Sequence, residues 1–210
     1  MQPENTWILD LGKSEDELLS GMSSRCRYNI KLAEKSGVKV HSNESDRKML
    51  NTFFDLFSTT AKRHKISYRG ADYFSNFLDI LGKAGYARIY SATLLQEEGK
   101  EINLTSGICV YSRDKAIYMF GASSDELRNL KAPNLLVWRM IADAKAAGKK
   151  EFDFYGIAPN DDPKHPWAGI TSFKKQFGGC QIDIIGSYDL IFKSAEYTAF
   201  KMLEKMRRHY

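Results

Sequence analysis

The residues best placed to do chemistry lie between Phe152 and Gly179, in the run FDFYGIAPNDDPKHPWAGITSFKKQFGG. Asp153 and Tyr155 alternate with Phe152 and Phe154, so a strand there buries two phenylalanines and carries a carboxylate and a phenol on its other face. Such a pair can accept a proton or orient an amine. Gly156 ends the strand, and the loop from Ala158 to Pro166 holds Pro159, Pro163 and Pro166, which exclude helix. At TSFKKQFGG the chain turns helical: Thr171 or Ser172 is the expected cap, Lys174 falls in the first turn, and Gly178 and Gly179 mark the end. The expectation is a lysine carried outward on a short helix, beside an acid and a phenol. By spacing alone Lys174 also reads as a surface lysine, and Asp153 as its structural partner.

The elements that must position these groups are read from hydrophobic period. Trp7 to Leu11 is expected as a short edge strand, followed by a helix with Ser14 as N-cap and Glu17 as its reciprocal partner. Ser24 is expected to cap a second helix running to Lys35 and stopped by Gly37. Ile30 and Ala33 face inward there, with Arg27, Lys31 and Lys35 on another face. That basic stripe is either a solvated face or an anion site. Val38 to His41 reads as a strand, and Asp46 to His64 as a helix with Leu50, Phe53, Leu56 and Phe57 on its apolar side. Its end carries Lys62, Arg63, His64 and Lys65, which either bind an anion or complement the helix dipole. Asp72 to Lys83 reads as a further amphipathic helix burying Phe74, Phe77, Leu78 and Leu81.

From Ala87 the period changes to two. ARIYSATLLQ, EINLTSGICVY and AIYMFGA, separated by turns in EEGK and SRDK, form an antiparallel three-stranded meander. Pro133 to Ala147 is a helix that starts on proline and stops at Gly148, and Glu151 to Tyr155 is the next strand. A strand, helix, strand crossover sets its two strands parallel, which puts Gly121 and Gly156 at one edge beside a favoured ligand crevice. Gln181 to Leu190 is a closing strand or hairpin, and Ser194 to Tyr210 a last basic amphipathic helix. The fold class is α/β: a mixed, mainly antiparallel sheet with a parallel crossover pair, flanked by helices, in one domain over residues 1–210.

Composition excludes several classes. With 43% hydrophobic and 12% aromatic residues the chain has ample material for a core, so disorder is excluded. A net charge of +5 favours an anionic partner. Cys26, Cys109 and Cys180 are far apart with no CxxC, which indicates neither a disulfide framework nor a zinc site and suits a reducing cytoplasm. No apolar run approaches the ~20 residues needed to span a bilayer. His41, His64, His165 and His209 are scattered, no metal site is expected, and GxSxG, P-loop and GxGxxG motifs are all missing.

Three stretches in order resemble the FemABX aminoacyltransferases: RYNIKLAEKSGVKV from Arg27 to Val40, FGASSDELRNLKAPNLLVW from Phe120 to Trp138, and FDFYGI followed by GITSFKKQFGG. The resemblance implies a GNAT-type acyltransferase fold and corresponds to the second of the family's two acyltransferase domains, the upstream twin being absent from this chain. It implies an enzyme that moves an amino acid from aminoacyl-tRNA to the stem-peptide amine of a peptidoglycan precursor in cell-wall synthesis. Aminoacyl-tRNA is then a co-substrate and no cofactor is needed. The acceptor is a UDP-linked or lipid-linked muramyl pentapeptide, with peripheral contact to a membrane-bound precursor. Lys174 corresponds to the family's FK lysine, which acts on the donor or its transition state, with Asp153 and Tyr155 as proton acceptors or amine positioners. Phe173 belongs to the same motif, and its ring also suits packing that fixes the helix. Arg27, Lys31 and Arg63 are candidates for the precursor diphosphate. Lys201, Lys205, Arg207 and Arg208 are candidates for the tRNA backbone. Ser123 and Ser124 either line the donor site or form a turn. The stretch SSDELRNLKAP lacks the glycines of a pyrophosphate loop, which favours tRNA over coenzyme A. An acyl-coenzyme A N-acyltransferase of the same fold, and a non-catalytic precursor- or tRNA-binding half of a larger protein, are the alternatives.

Overall fold

The computed structural model describes residues 4–64, 69–97, 99–186 and 188–207; the side chains at 63, 64, 206 and 207 are outside the described set. The strands are β1 (Asn5–Asp10), β2 (Lys39–Asn43), β3 (Ala87–Leu95), β4 (Glu101–Tyr111), β5 (Lys115–Ser123), β6 (Glu151–Gly156) and β7 (Cys180–Asp183). They form a seven-stranded sheet in the order β2-β3-β4-β5-β6-β1-β7. The helices are α1 (Glu15–Gly21), α2 (Ser24–Lys35), α3 (Arg47–His64), α4 (Ala71–Phe77), α5 (Ala132–Ala146), α6 (Ala168–Lys175) and α7 (Ser194–Arg207).

The meander β3-β4-β5 pairs antiparallel as its short turns require, and α5 carries the chain over to β6, which pairs parallel with β5. The remaining pairs are antiparallel. One face of the sheet packs against α2 and α5, through residues such as Ile30, Ala33, Leu136, Met140 and Phe154. The other packs against α3 and α4, through Leu50, Phe53, Phe74, Ile89 and Ile108. Phe152 and Phe154 are fully buried, with ring centroids 5.0 Å apart, and Phe177 lies 5.5 Å from Phe154. Their burial fixes which face of β6 carries Asp153 and Tyr155.

Local signals end where the sequence places them when the partner is local. Ser14 Oγ accepts from Glu17 N at 3.3 Å, and Glu17 Oε2 accepts from Ser14 N at 2.8 Å. Ser23 caps α2 rather than Ser24, accepting from Cys26 N at 3.1 Å. The helix expected from Asp72 to Lys83 is α4 followed by a π-helical turn, Leu78–Gly82.

Two strand expectations change through long-range pairing. β1 is interior, not an edge, because the chain after α6 returns as β7 alongside it, and Trp7 Nε1 donates to Gly178 O at 2.7 Å. The closing strand stops at Asp183 instead of running to Leu190, since its partner β1 begins at Asn5 and only Ile184 N, bonded to Glu4 O at 2.7 Å, continues the pairing.

Gly179 makes that return possible. Its φ is +94°, and a Cβ there would lie 2.3 Å from Ile8 O. Gly179→Ala is therefore expected to destabilise the fold by ~1–3 kcal/mol through backbone strain and the forced shift of β1. Chemical denaturation of both proteins measures this, and an unchanged midpoint would contradict the packing described.

Candidate active site

The site begins with a split in the sheet. β5 and β6 pair at Lys115↔Glu151, Ala116↔Phe152 and Ile117↔Asp153, and then part although both strands continue. β6 turns away because Tyr155 adopts a left-handed backbone, φ +65°, with its N–H donating to Asp153 Oδ1 at 2.7 Å. The hydroxyl of Thr6 donates to the same carboxylate oxygen. The end of β6 thereby follows β1, with Thr6 opposite Gly156 and Ile157 N bonded to Asn5 O at 3.0 Å. A parallel pair that opens in mid-sheet leaves unpaired backbone facing a gap, the setting in which open α/β sheets bind ligands.

α6 lies against this gap, and its start differs from expectation. It begins at Ala168, after Trp167, not at Thr171 or Ser172. The proline loop supplies the start, through Ala168 N to His165 O at 2.9 Å and Trp167 N to His165 Nδ1 at 3.0 Å. Thr171 sits inside the helix, and its hydroxyl oxygen accepts from Ala158 N at 2.8 Å. Lys174 is consequently in the last turn, on the inward face three residues after Thr171.

This corrects the reading of Lys174 as an outward lysine. It is 7% exposed, and its ammonium donates to Gly156 O at 2.6 Å. Burial lowers its pKa from the ordinary 10.5 to about 8, against the opposing pull of Asp153. Its neighbour Lys175 points elsewhere, to Asp161 at 2.5 Å and over the Trp7 ring at 5.4 Å. Tyr155 is half-buried, and its phenol is pushed up by burial first and then by Asp153 and Tyr73, so it stays protonated at neutral pH.

Beside the split is a cavity of about 380 Å³. Its walls include Tyr118, Gly121, Ser123 and Ser124 from the end of β5 and the loop after it, Asn134 from the start of α5, and Ile170 and Phe173 from α6. Ser123 and Ser124 thus line a cavity; Ser124 also shapes a turn, whereas Ser123 ends β5 and pairs across to β4. Ser124 Oγ accepts from Glu126 N at 3.0 Å, and Ser123 Oγ lies 3.0 Å from Thr105 Oγ1. Phe173 likewise does both, lining the cavity and packing on Phe177 at 5.3 Å. Leu127 and Lys131, with φ of +48° and +58°, bend the loop into α5 without glycine.

Lys174, Asp153 and Tyr155 sit together at the split but do not line this cavity, which α6 reaches through Ile170 and Phe173. The remaining sequence candidates lie apart. Arg27 donates to Ser20 O at 3.1 Å and to Met22 O, clasping the end of α1, and Lys31 is exposed on α2; neither lines the cavity. The side chains of Arg63 and Arg207, and all of Lys65 and Arg208, lie outside the described residues. Lys201 is paired with Asp189 at 3.3 Å and Glu204 at 3.2 Å, and Lys205 is exposed. Sequence reasoning missed Tyr73 and Arg69. Tyr73 acts on the phenol of Tyr155, and the Arg69 guanidinium stands 5.9 Å over the Tyr73 ring. Tyr73 sits beside Phe74 and Phe77 in a stripe that reads as core, so its composition carries no signal; its 41% exposure does.

A mixed sheet that splits at a parallel crossover pair, with helices on both faces, is the arrangement of the GNAT-type fold. Residues 1–94 and 86–205 match the FemAB family, and the chain belongs to it. The lipid II:glycine glycyltransferase of Staphylococcus aureus is 24% identical over 265 residues, covering 97% of this chain and 62% of that protein. The chain therefore spans about three fifths of the length of the curated relatives it matches. The crystal structure of FemX superposes with a TM-score of 0.86 at 24% identity, covering 95% of this chain and 64% of that one. L-PGS from Bacillus licheniformis gives 0.55 at 13% identity, covering 86% of this chain and 59% of that one. A tandem GNAT protein from the clavulanic acid pathway gives 0.50 at 13% identity, covering 90% of this chain and 55% of that one. These structural likenesses establish the fold.

The burial of Lys174 has a measurable consequence. Below about pH 8 the lysine is charged in both folded and unfolded chains, so the folded state carries the whole desolvation penalty. As pH rises from about 8 towards 10.5 the folded chain loses this proton first, and the penalty disappears. Its ceiling is ~3 kcal/mol, reduced by the bond to Gly156 O. Lys174→Met is expected to melt no lower than the wild type at pH 7, and its relative stability should fall as pH rises to 10. A variant that melts far lower at pH 7 would make Lys174 a stabilising residue instead.

Proposed function

We propose that this protein transfers an aminoacyl group from aminoacyl-tRNA to the stem-peptide amine of a peptidoglycan precursor. The observation that carries the reading is the buried ammonium of Lys174 at the split between β5 and β6, on the helix whose Ile170 and Phe173 wall a cavity, in a FemAB-family chain. In the reaction the acceptor amine attacks the ester carbonyl, an N–C bond forms, and negative charge develops on the carbonyl oxygen. One N–H of Lys174 is held by Gly156 O, and its other two are unused by the described residues. A cation fixed in a dry site stabilises that oxyanion more than it stabilises the ground state.

The ester C–O bond then breaks, and the amine's proton passes to the departing 3′-oxygen. Asp153 is the candidate to take the proton first, since its carboxylate is oriented by Thr6 and the Tyr155 N–H. Tyr155 stays protonated and serves as a donor that positions the amine. Ser123, Ser124 and Phe173 line the place for the donor's aminoacyl end. Arg27, Lys31 and Arg63 remain candidates for the precursor's phosphates, and Lys201 and Lys205 for the tRNA backbone. The relatives' name supports glycine as the amino acid and a lipid-linked acceptor. Among the described residues no helix is long and apolar enough to cross a membrane. A tRNA-borne donor puts the reaction in the cytoplasm on this reading, with the protein meeting a membrane-bound precursor peripherally.

A ribonuclease experiment separates this reading from coenzyme A chemistry. Transfer to muramyl pentapeptide in a charged extract should vanish after ribonuclease treatment and return with purified aminoacyl-tRNA. Ribonuclease-resistant transfer supported by acyl-coenzyme A would replace the reading with the N-acyltransferase one. No transfer under either condition, with tight precursor or tRNA binding, would favour a binding role.

A further inference from the structure

The cavity contains a polar group that the fold does not use. Tyr118 follows immediately after the last β5–β6 pair, and its side chain lines the cavity. Its ring is slotted over two glycines. A Cβ on Gly107 would lie 3.1 Å from the ring, and one on Gly121 only 2.0 Å from the hydroxyl oxygen. Glycine at 121 therefore makes room for the hydroxyl at this depth. Among the described residues nothing hydrogen-bonds to that hydroxyl, yet it is not sealed off either, so it opens into the cavity. The other lining hydroxyls are engaged: Thr60 Oγ1 donates to Ser123 O at 3.3 Å, Ser123 bonds to Thr105, and Ser124 to Glu126 N. The amide of Asn134 is held by Asn29 at 3.3 Å and Cys26 at 3.6 Å. Burial pushes the Tyr118 phenol up to about 12, so at neutral pH it is a fixed proton donor as well as an acceptor.

We propose that Tyr118 is a specificity-determining residue: its hydroxyl hydrogen-bonds the amino acid carried by the donor, and its ring limits the size of that amino acid's side chain. This rests on the reading of the cavity as the donor's aminoacyl site. An unpaired, rigidly held phenol suits the ester carbonyl or the α-ammonium, groups that every aminoacyl ester has and a bare 3′-end lacks. The ring closes the inner end of the cavity, where Met140 and Gly107 stand directly behind it. On this proposal the donor's amino-acid side chain meets the ring there, so a larger one is admitted less readily than a small one.

Equilibrium binding to the full protein tests this, with three probes: a cytidyl-cytidyl-adenosine trinucleotide that is bare, carries amide-linked glycine, or carries amide-linked leucine at its 3′-end. The wild type should prefer the glycyl over the bare form by about tenfold, within the range of one hydrogen bond, and should reject the leucyl form. Tyr118→Phe, with an unchanged melting curve, should lose most of the glycyl preference, and Tyr118→Ala should admit the leucyl probe. Ser124→Trp, which obstructs the cavity, should weaken all three. If Ser124→Trp weakens binding but Tyr118→Phe keeps the full glycyl preference, the Tyr118 assignment is wrong and the donor site stands. If a folded Ser124→Trp binds every probe as the wild type does, the cavity is not the donor site and both readings fall.

Discussion

The buried hydrogen bond from the Lys174 ammonium to the Gly156 carbonyl, 2.6 Å long, is the contact on which the arrangement depends. It can form only because β6 leaves β5 after Asp153, freeing the carbonyl at its end, and because α6 starts early enough to turn Lys174 inward. A carbonyl is a weaker partner for a buried cation than a carboxylate, and Asp153 acts on it only at longer range. An apolar side chain at this position would be more favourable for folding. On the proposed reading, a charge retained there is a trade of stability for reactivity of the kind active sites make.

The same split collects the backbone strain. Among the described residues the non-glycine positions with left-handed backbone are Leu127, Lys131 and Tyr155. Tyr155 turns the end of β6 away from β5, and the other two shape the loop that leads from β5 into α5. Each such residue costs ~1–3 kcal/mol and persists only where its surroundings hold it. Here the surroundings are the Asp153 carboxylate at Tyr155 and the cavity wall at Leu127 and Lys131. Both sides of the gap are therefore shaped by the fold itself, and on the proposed reading this reduces the reorganisation needed during transfer.

What the sequence revealed divides along local and long-range lines. The Ser14–Glu17 cap, the three-stranded meander and the parallel crossover were legible because period, turn residues and capping act over a few positions. The family was legible because three separated motifs occur in order. The burial of Lys174 was not, since nothing in TSFKKQF says which face of the helix meets β6, and the hydroxyl of Thr171 was already committed to Ala158 N rather than to a cap. The interior place of β1 depends on a strand from the far end of the chain. Tyr118 reads as one more aromatic in a strand with period two, and its hydroxyl, unpartnered among the described residues, finds its place over Gly107 and Gly121 only once β4 and β5 are paired.

The central claim is that the Lys174 charge serves transfer and not folding. Single-turnover transfer by wild type and Lys174→Met, at saturating aminoacyl-tRNA and muramyl pentapeptide acceptor, tests it most directly. The account expects a loss of ~10²- to 10³-fold in the rate of the chemical step, with substrate affinity for the acceptor retained. Transfer by a well-folded Lys174→Met protein at close to the wild-type rate would contradict it.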